Sequence, residues 1–332
     1  MSNKTKNRET SSYYIDGILK GDIRILSQAI TLVESRLAPD QSISGEVLEG
    51  ILEKTGNSIR IGITGIPGVG KSTFIESFGT YLTNLGKKIA VLAIDPSSKF
   101  SGGSIMGDKT RMEQLAKNPA AFIRPSPTGN NLGGVAAKTR ECMLLCEAAG
   151  FEIILVETVG VGQNELAVRE MVDFFLLLML ARSGDELQGM KRGIMEIANL
   201  ISITKADGDN VEAANQARAQ FHSALHLYSL PESGWKPKVI TCSALEQKGL
   251  SEIWEAICEY EKITRETDFW NIQRSRQRLY WFHSAIEWLL LENFKMSKGI
   301  TSLIKEMEKK ILNKSITPTR AAGEIVEYYY RK

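Results

Sequence analysis

The residues best equipped for chemistry stand together at Gly65-Ile66-Pro67-Gly68-Val69-Gly70-Lys71-Ser72-Thr73. A glycine, four residues, then Gly-Lys-Ser is the pattern of a phosphate-binding loop. Its glycines let the backbone turn N–H groups inward around a polyphosphate, Lys71 can reach the β- and γ-phosphates, and the Ser72 hydroxyl can ligand Mg²⁺. The positive end of a following helix adds to the attraction. An ordinary glycine-rich turn, the plainer reading, gives the Lys-Ser ending no task. The flanks fit the first reading: β-branched Ile61, Ile63 and Thr64 predict a strand entering the loop, and FIESFGTYLTNL predicts an amphipathic helix leaving it.

Other candidates follow other apolar runs. Asp95-Pro96-Ser97-Ser98 is succeeded by GGSIMGDKTR, which carries Asp108 and Arg111. Two carboxylates near a triphosphate repel it unless Mg²⁺ stands between, so Asp95 and Asp108 are candidate metal ligands or anchors, with a helix cap or solvated loop as the alternative for either. In Glu157-Thr158-Val159-Gly160 an acid precedes a glycine by three positions, as in the D-x-x-G turn of GTPases. There the acid holds the Mg²⁺ shell and the glycine N–H senses the γ-phosphate. Glu157 is one methylene longer than Asp, which allows contact with the metal through water. Thr204-Lys205-Ala206-Asp207 resembles the [NT]-K-x-D element that reads guanine. A carboxylate at Asp207 can accept from the base's ring N–H and exocyclic amine, a pair that adenine does not offer. Ser243-Ala244-Leu245, after the next run, would set backbone N–H groups against the guanine carbonyl. The candidate catalytic set is Lys71, Asp95, Glu157 and Gly160. The candidate metal set is Ser72, Asp95, Asp108 and Glu157.

These residues need a frame that brings them together. Strand-like runs IRIGIT, KIAVLAI, AFIRP, EIILVE, FFLLLML, LISIT and PKVITC alternate with helical stretches at 131–149, 187–199, 209–229 and 250–263. That order predicts an α/β fold, a three-layer P-loop NTPase with a mostly parallel sheet, in which ligands bind beyond the carboxyl ends of the strands. Residues 1–56 read as a helical arm, polar and disordered over 1–10 and broken at Pro39. Residues 57–265 read as the nucleotide domain, and 266–332 as a helical region. In that last region Trp270, Tyr280, Trp281, Phe282 and Trp288 stand among Arg274, Arg276 and Arg278. Base stacking is one reading; an amphipathic helix packing on a partner helix, and hence a homodimer, is favoured.

Composition narrows the classes. A net charge of +2 is too small for a nucleic-acid footprint. The longest apolar run, Phe174–Ala181, is far short of the roughly 20 residues of a membrane helix. The amino terminus MSNKTKNRET lacks the apolar segment of a signal peptide. Four cysteines (Cys142, Cys146, Cys242, Cys258) without C-x-x-C spacing predict reduced thiols, and together these features predict a cytoplasmic protein with no membrane or nucleic-acid partner. Cys142 and Cys146 read as core, and His222 and His226, four apart without an H-E-x-x-H acid, read as packing residues.

With the P-loop, D-P-S-S, G-G-S-I-M-G-D-K-T-R, F-I-R-P-S-P, V-E-T-V-G-V-G-Q, G-D-E-L-Q-G, K-A-D-G-D-N and T-C-S-A-L present in order, the chain resembles the MeaB/ArgK family of methylmalonyl-CoA mutase-associated GTPases. The resemblance covers roughly residues 13–265 and, more loosely, the C-terminal helices. It implies a homodimeric GTPase of the SIMIBI class that uses GTP/GDP with Mg²⁺. It also implies binding to a cobalamin-dependent acyl-CoA mutase, gating of adenosylcobalamin delivery, and protection or reactivation of the mutase. Carried over by motif, Ser72, Asp95, Asp108 and Glu157 surround Mg²⁺, Lys71 and the loop amides hold the phosphates, and Asp207 selects guanine. The segment from Gly184 to Lys191, with Asp185 and Glu186, resembles the family's additional switch loop, and Lys191 and Arg111 are candidates for charge pairing that changes with nucleotide state. Thr204 stands where the family often has Asn, and Ala181-Arg182-Ser183 where a proline-containing lead-in is usual. Gln163 is the obvious polar candidate for positioning water, at an offset unlike that of small GTPases. Slow intrinsic hydrolysis, stimulated by the client, is the expectation. The competing readings are a metallochaperone GTPase for another metalloenzyme, a kinase acting on a transport protein, and a scaffold with a dead nucleotide site.

Overall fold

The computed structural model describes residues 8–35, 37–94, 112–125, 132–158, 165–181, 192–226, 228 and 230–331. The apolar runs become seven parallel strands: β1 (Ile59–Gly65), β2 (Ile89–Ile94), β3 (Ala121–Pro125), β4 (Ile153–Thr158), β5 (Phe174–Leu180), β6 (Leu200–Thr204) and β7 (Lys238–Thr241). Their order across the sheet is β3-β2-β4-β1-β5-β6-β7. β1, buried at every position, therefore lies in the middle, paired with β4 from Ile59↔Ile153 and with β5 as far as Gly65↔Leu178. From β1 the chain crosses first toward β2 on one side and later toward β5 on the other, which makes the carboxyl end of β1 the crevice where such sheets bind ligands. The β-branched and aliphatic character of the central strands follows from burial on both faces.

Ahead of the sheet lie α1 (Ser11–Leu19), α2 (Ile23–Glu34) and α3 (Ala38–Ile51), which pack on one another and on a later helix, Leu132–Ala148. Thr10 caps α1, and the Asp22 carboxylate caps α2 by accepting from the N–H groups of Arg24 and Ile25 at 2.8 and 3.1 Å. Pro39 does not break the arm. It sits in the first turn of α3, where a missing N–H costs nothing, and the interruption lies before it, ahead of Ala38. Residues 8–10, expected to be disordered, are placed, and Arg8 makes a two-bonded ion pair with Asp40 at 2.9 and 2.7 Å.

The remaining helices of the main body are α4 (Lys71–Asn84), α5 (Leu132–Ala148), α6 (Glu165–Arg169), α7 (Arg192–Ile197), α8 (Val211–Leu225) and α9 (Leu250–Glu266). Phe74 and Phe78 of α4 stack at 5.3 Å in the core, and Tyr260 of α9 meets Phe174 edge-on at 5.1 Å. Cys142 and Cys146 are buried on α5, and burial drives both thiols up, so they stay protonated packing groups.

Then come α10 (Phe269–Met296), α11 (Ile300–Leu312) and α12 (Pro318–Tyr330), and the chain divides into two compact units between Gln277 and Arg278, inside α10. The start of α10 corrects one expectation. Trp270 and Arg274 are buried in the first unit, with Arg274 4.6 Å from the Trp270 ring centre, so these two residues pack into this chain's own core. In the second unit α11 packs on α12, and Phe294 meets Tyr329 edge-on at 5.2 Å. Leu279, Phe282, Ile286, Leu289, Leu290 and Leu291 of α10 are exposed there. Among the described residues no helix is long and apolar enough to cross a membrane.

Candidate functional site

The loop after β1 is shaped by its glycines. Gly65 ends the strand so close to β5 that a Cβ would sit 2.6 Å from the Leu178 carbonyl oxygen, and Gly68 and Gly70 turn the chain at φ +80° and +94°, where other residues are strained. Gly70 is the N-cap of α4, and Phe74 donates to its carbonyl at 2.8 Å. Val69 is buried beneath the loop, while Pro67 and Gly68 are exposed. The Lys71 ammonium folds over this turn, donating to the carbonyls of Gly65 at 2.7 Å and Ile66 at 3.2 Å. Loop amides, a lysine and a helix N-terminus thus converge on one concave stretch of backbone.

Beside it, β4 ends in Glu157 and Thr158. Register places Glu157 level with Ile63 of β1 and Ala93 of β2, and it is 8% exposed. The Ser72 hydroxyl donates to Glu157 Oε1 at 3.2 Å, while the Thr158 hydroxyl bonds to Thr64 at 2.8 Å and locks the two strand ends. A hydroxyl and a carboxylate at the head of α4 are hard oxygen donors that fit Mg²⁺. Asp95, Asp108, Arg111, Gly160, Gln163, Asp185, Glu186 and Lys191 lie outside the described residues.

The third group comes from the ends of β6 and β7. The Thr204 hydroxyl donates to the carbonyls of Val69 at 2.8 Å and Met179 at 3.2 Å, and Lys205 sends its ammonium to the Gly68 carbonyl at 2.9 Å. Lys205 holds φ at +56°, a left-handed conformation that costs a side-chain-bearing residue about 1 kcal/mol and aims this one across the phosphate loop. Asp207, half-buried, accepts from the Ser243 hydroxyl at 2.5 Å, and Ser243 in turn accepts from the N–H of Glu246 at 3.0 Å. Ala206 donates to the Cys242 carbonyl at 3.0 Å, and Asn210 caps the turn through the Lys205 carbonyl at 2.7 Å. Behind this sits Cys242, whose thiol burial pushes up to about 11, so it stays protonated beside the carboxylate. Leu245 is exposed at the lip.

Two residues that sequence reasoning passed over join these parts. Ser77 of α4 donates to the Ala244 carbonyl at 2.8 Å, fastening the Ser243–Leu245 loop to the phosphate-loop helix. Glu76, next to it, accepts from the N–H groups of Gln114 and Leu115 at 2.8 and 3.1 Å and so fastens the turn at Leu115–Lys117 to α4. No pattern announces either, because each acts by where α4 carries it. Together they bring a glycine-rich turn with its lysine, a hydroxyl–carboxylate oxygen pair and the Asp207 carboxylate to the carboxyl ends of β1, β4 and β6. Among the described residues no cluster of three His, Cys, Asp or Glu could hold a metal.

A family model described as methylmalonyl-CoA mutase-associated GTPase MeaB matches residues 26–298. The chain is 43% identical over 322 residues to the GTPase ArgK of Escherichia coli, covering 97% of each. It is also 43% identical to the mouse methylmalonic aciduria type A homolog, mitochondrial, covering 94% of this chain and 78% of that one. A crystal structure described as a LAO/AO transport system kinase superposes with a TM-score of 0.75 at 37% identity, over 98% of this chain and all of that one.

Proposed function

The chain belongs to the MeaB family of P-loop GTPases and hydrolyses GTP, and from that premise we propose that its client is a cobalamin-dependent acyl-CoA mutase of the methylmalonyl-CoA type. In this reading the nucleotide cycle gates delivery of adenosylcobalamin and protects or reactivates the mutase, in the cytoplasm. Lys71 and the N–H groups of the Gly65–Ser72 loop, Pro67 excepted, would hold the phosphates, and Ser72 and Glu157, together with Asp95 and Asp108, would hold Mg²⁺. When bound, that ion supplies charge neutralisation of the β- and γ-phosphates. Asp207 accepts from the guanine N–H and amine, and the Ser243–Leu245 amides meet its carbonyl.

The observation that supports the nucleotide assignment most is the physical join between the two halves of the site. Lys205 and Thr204, from the base-reading turn, bond directly to Gly68 and Val69 of the phosphate loop, so base recognition and phosphate geometry are fixed together. The GTPase domain is assigned to 57–265, the arm to 1–56, and homodimer formation to the region 266–332, where the exposed apolar face of α10 supplies a surface for a second copy.

The test is hydrolysis of GTP and ATP by the purified protein, with and without the cobalamin-dependent mutase of the same genome. Slow turnover of GTP alone, rising at least about tenfold or about 1.4 kcal/mol in barrier with the mutase, is the expected result. An unchanged rate would make the mutase the wrong client and reopen the metallochaperone reading. Transfer of label from ATP to protein would instead favour the kinase reading.

A further inference from the structure

At the amino ends of β6 and β7, away from the nucleotide site, α7, the last turn of α8 and the start of β7 line an open cavity of about 990 Å³. Two of the chain's three histidines, His222 and His226, belong to its wall. Their four-residue spacing reads as packing, but both are exposed, so that reading fails. Instead the two rings meet edge to face, with centres 4.7 Å apart and planes at 75°.

That separation has a chemical meaning. An ion bound to one nitrogen of each ring at about 2.1 Å lies about 3.2 Å from each ring centre. The centres then stand about 4.5 Å apart at a right-angled bite and about 5.2 Å at a tetrahedral one. The observed distance falls between the two. We propose that His222 and His226 form a two-imidazole chelate for a borderline divalent transition ion, Zn²⁺, Ni²⁺ or Cu²⁺, with water completing its coordination.

The surroundings support a site of this kind. Glu196 lines the same cavity as Lys236 and Lys238, and the Lys238 ammonium is engaged by Glu259. With two protein ligands the site is open and exchangeable, unlike a closed structural zinc centre. It also differs in donor type from the oxygen-lined Mg²⁺ position, so the two ions do not compete for one site. The chelate would clip the far end of the helix whose beginning abuts the base-reading turn, where Asn210 holds the Lys205 carbonyl.

The experiment uses untagged full-length protein with GDP and Mg²⁺, titrated with Ni²⁺ by calorimetry and followed by imidazole NMR. Three histidines make the spectrum assignable. One Ni²⁺ per chain is expected, with His222→Gln and His226→Gln each weakening binding at least about tenfold and the double variant abolishing it. The imidazole signals of His222 and His226 should move, and that of His283 should not. The proposal is overturned by unchanged affinity and stoichiometry in the double variant, by an effect of only one of the two histidines, or by no binding up to about 1 mM Ni²⁺.

Discussion

The two ends of β1 hold charge in opposite ways. At its amino end four charged side chains are buried and satisfied by one another. Arg60 pairs with Glu147 at 2.8 Å, and Arg274 grips Asp173 at 2.7 Å while also donating to the carbonyls of Gly56 and Ser58 at 2.5 and 2.6 Å. Glu147 additionally accepts from Ser58 and the Gly56 N–H, and Asp173 from the Arg60 N–H. At the carboxyl end Lys71, Lys205 and Asp207 are half-exposed or exposed and bond to loop carbonyls and a hydroxyl, and the buried Glu157 accepts from the Ser72 hydroxyl. A lysine held by two carbonyls can exchange them for phosphate oxygens, whereas an arginine locked to a carboxylate in the core has nothing to gain from a ligand. The same residue types therefore build a clamp at one end of the strand and a site at the other, and burial with an opposite charge is what separates them.

The comparison can be broken first at the clamp. Arg274→Ala leaves Asp173 buried without its cation, and we expect a loss of about 3–5 kcal/mol in urea unfolding. The KM for GTP of the protein that remains folded should not change. Lys71→Ala should do the reverse, cutting GTP turnover at least about a hundredfold, about 2.7 kcal/mol or more, with the unfolding free energy within about 0.5 kcal/mol of the parent. If either variant moved both quantities, the division between the two ends would be wrong. Ser77→Ala tests the fastening of the Ser243–Leu245 loop and should weaken guanine nucleotide binding by about 0.5–1.5 kcal/mol with little change in turnover at saturation. Acid stability sharpens the contrast more gently. Burial alone would raise the Glu147 pKa, but Arg60 and Ser58 hold it below its ordinary 4.5. Its stabilisation is therefore present in full above that value and is lost as pH falls through the lower folded one, at about 1.4 kcal/mol for each unit of depression. Glu147→Gln should flatten that fall in unfolding free energy.

The sheet was legible because most strands are short apolar runs, several ended by a glycine or polar residue, and because the candidate residues follow those runs. Gly65 to Ser72, Glu157, Thr204 to Asp207 and Ser243 are neighbours in space for that reason. Three features were not legible. Pro39 reads as a break from sequence, yet a helix accepts proline in its first turn. Arg274, among aromatic and basic neighbours, has the pattern of a surface helix, and only the fold brings it to Asp173, about a hundred residues earlier in the chain. Ser77 and Glu76 carry no signal at all, since a serine or glutamate on an amphipathic helix is ordinary until the loop that it touches is known.

Asp207, proposed to read guanine, stands on a turn bonded to the phosphate loop, and one substitution tests that role directly. Asp207→Asn replaces an acceptor by a group that can donate, matching the carbonyl that xanthine carries where guanine has its amine. Measured side by side, kcat/KM of the variant should fall at least about a hundredfold on GTP and rise on XTP until XTP is preferred. A folded Asp207→Asn protein that still prefers GTP over XTP as the parent does would contradict the assignment.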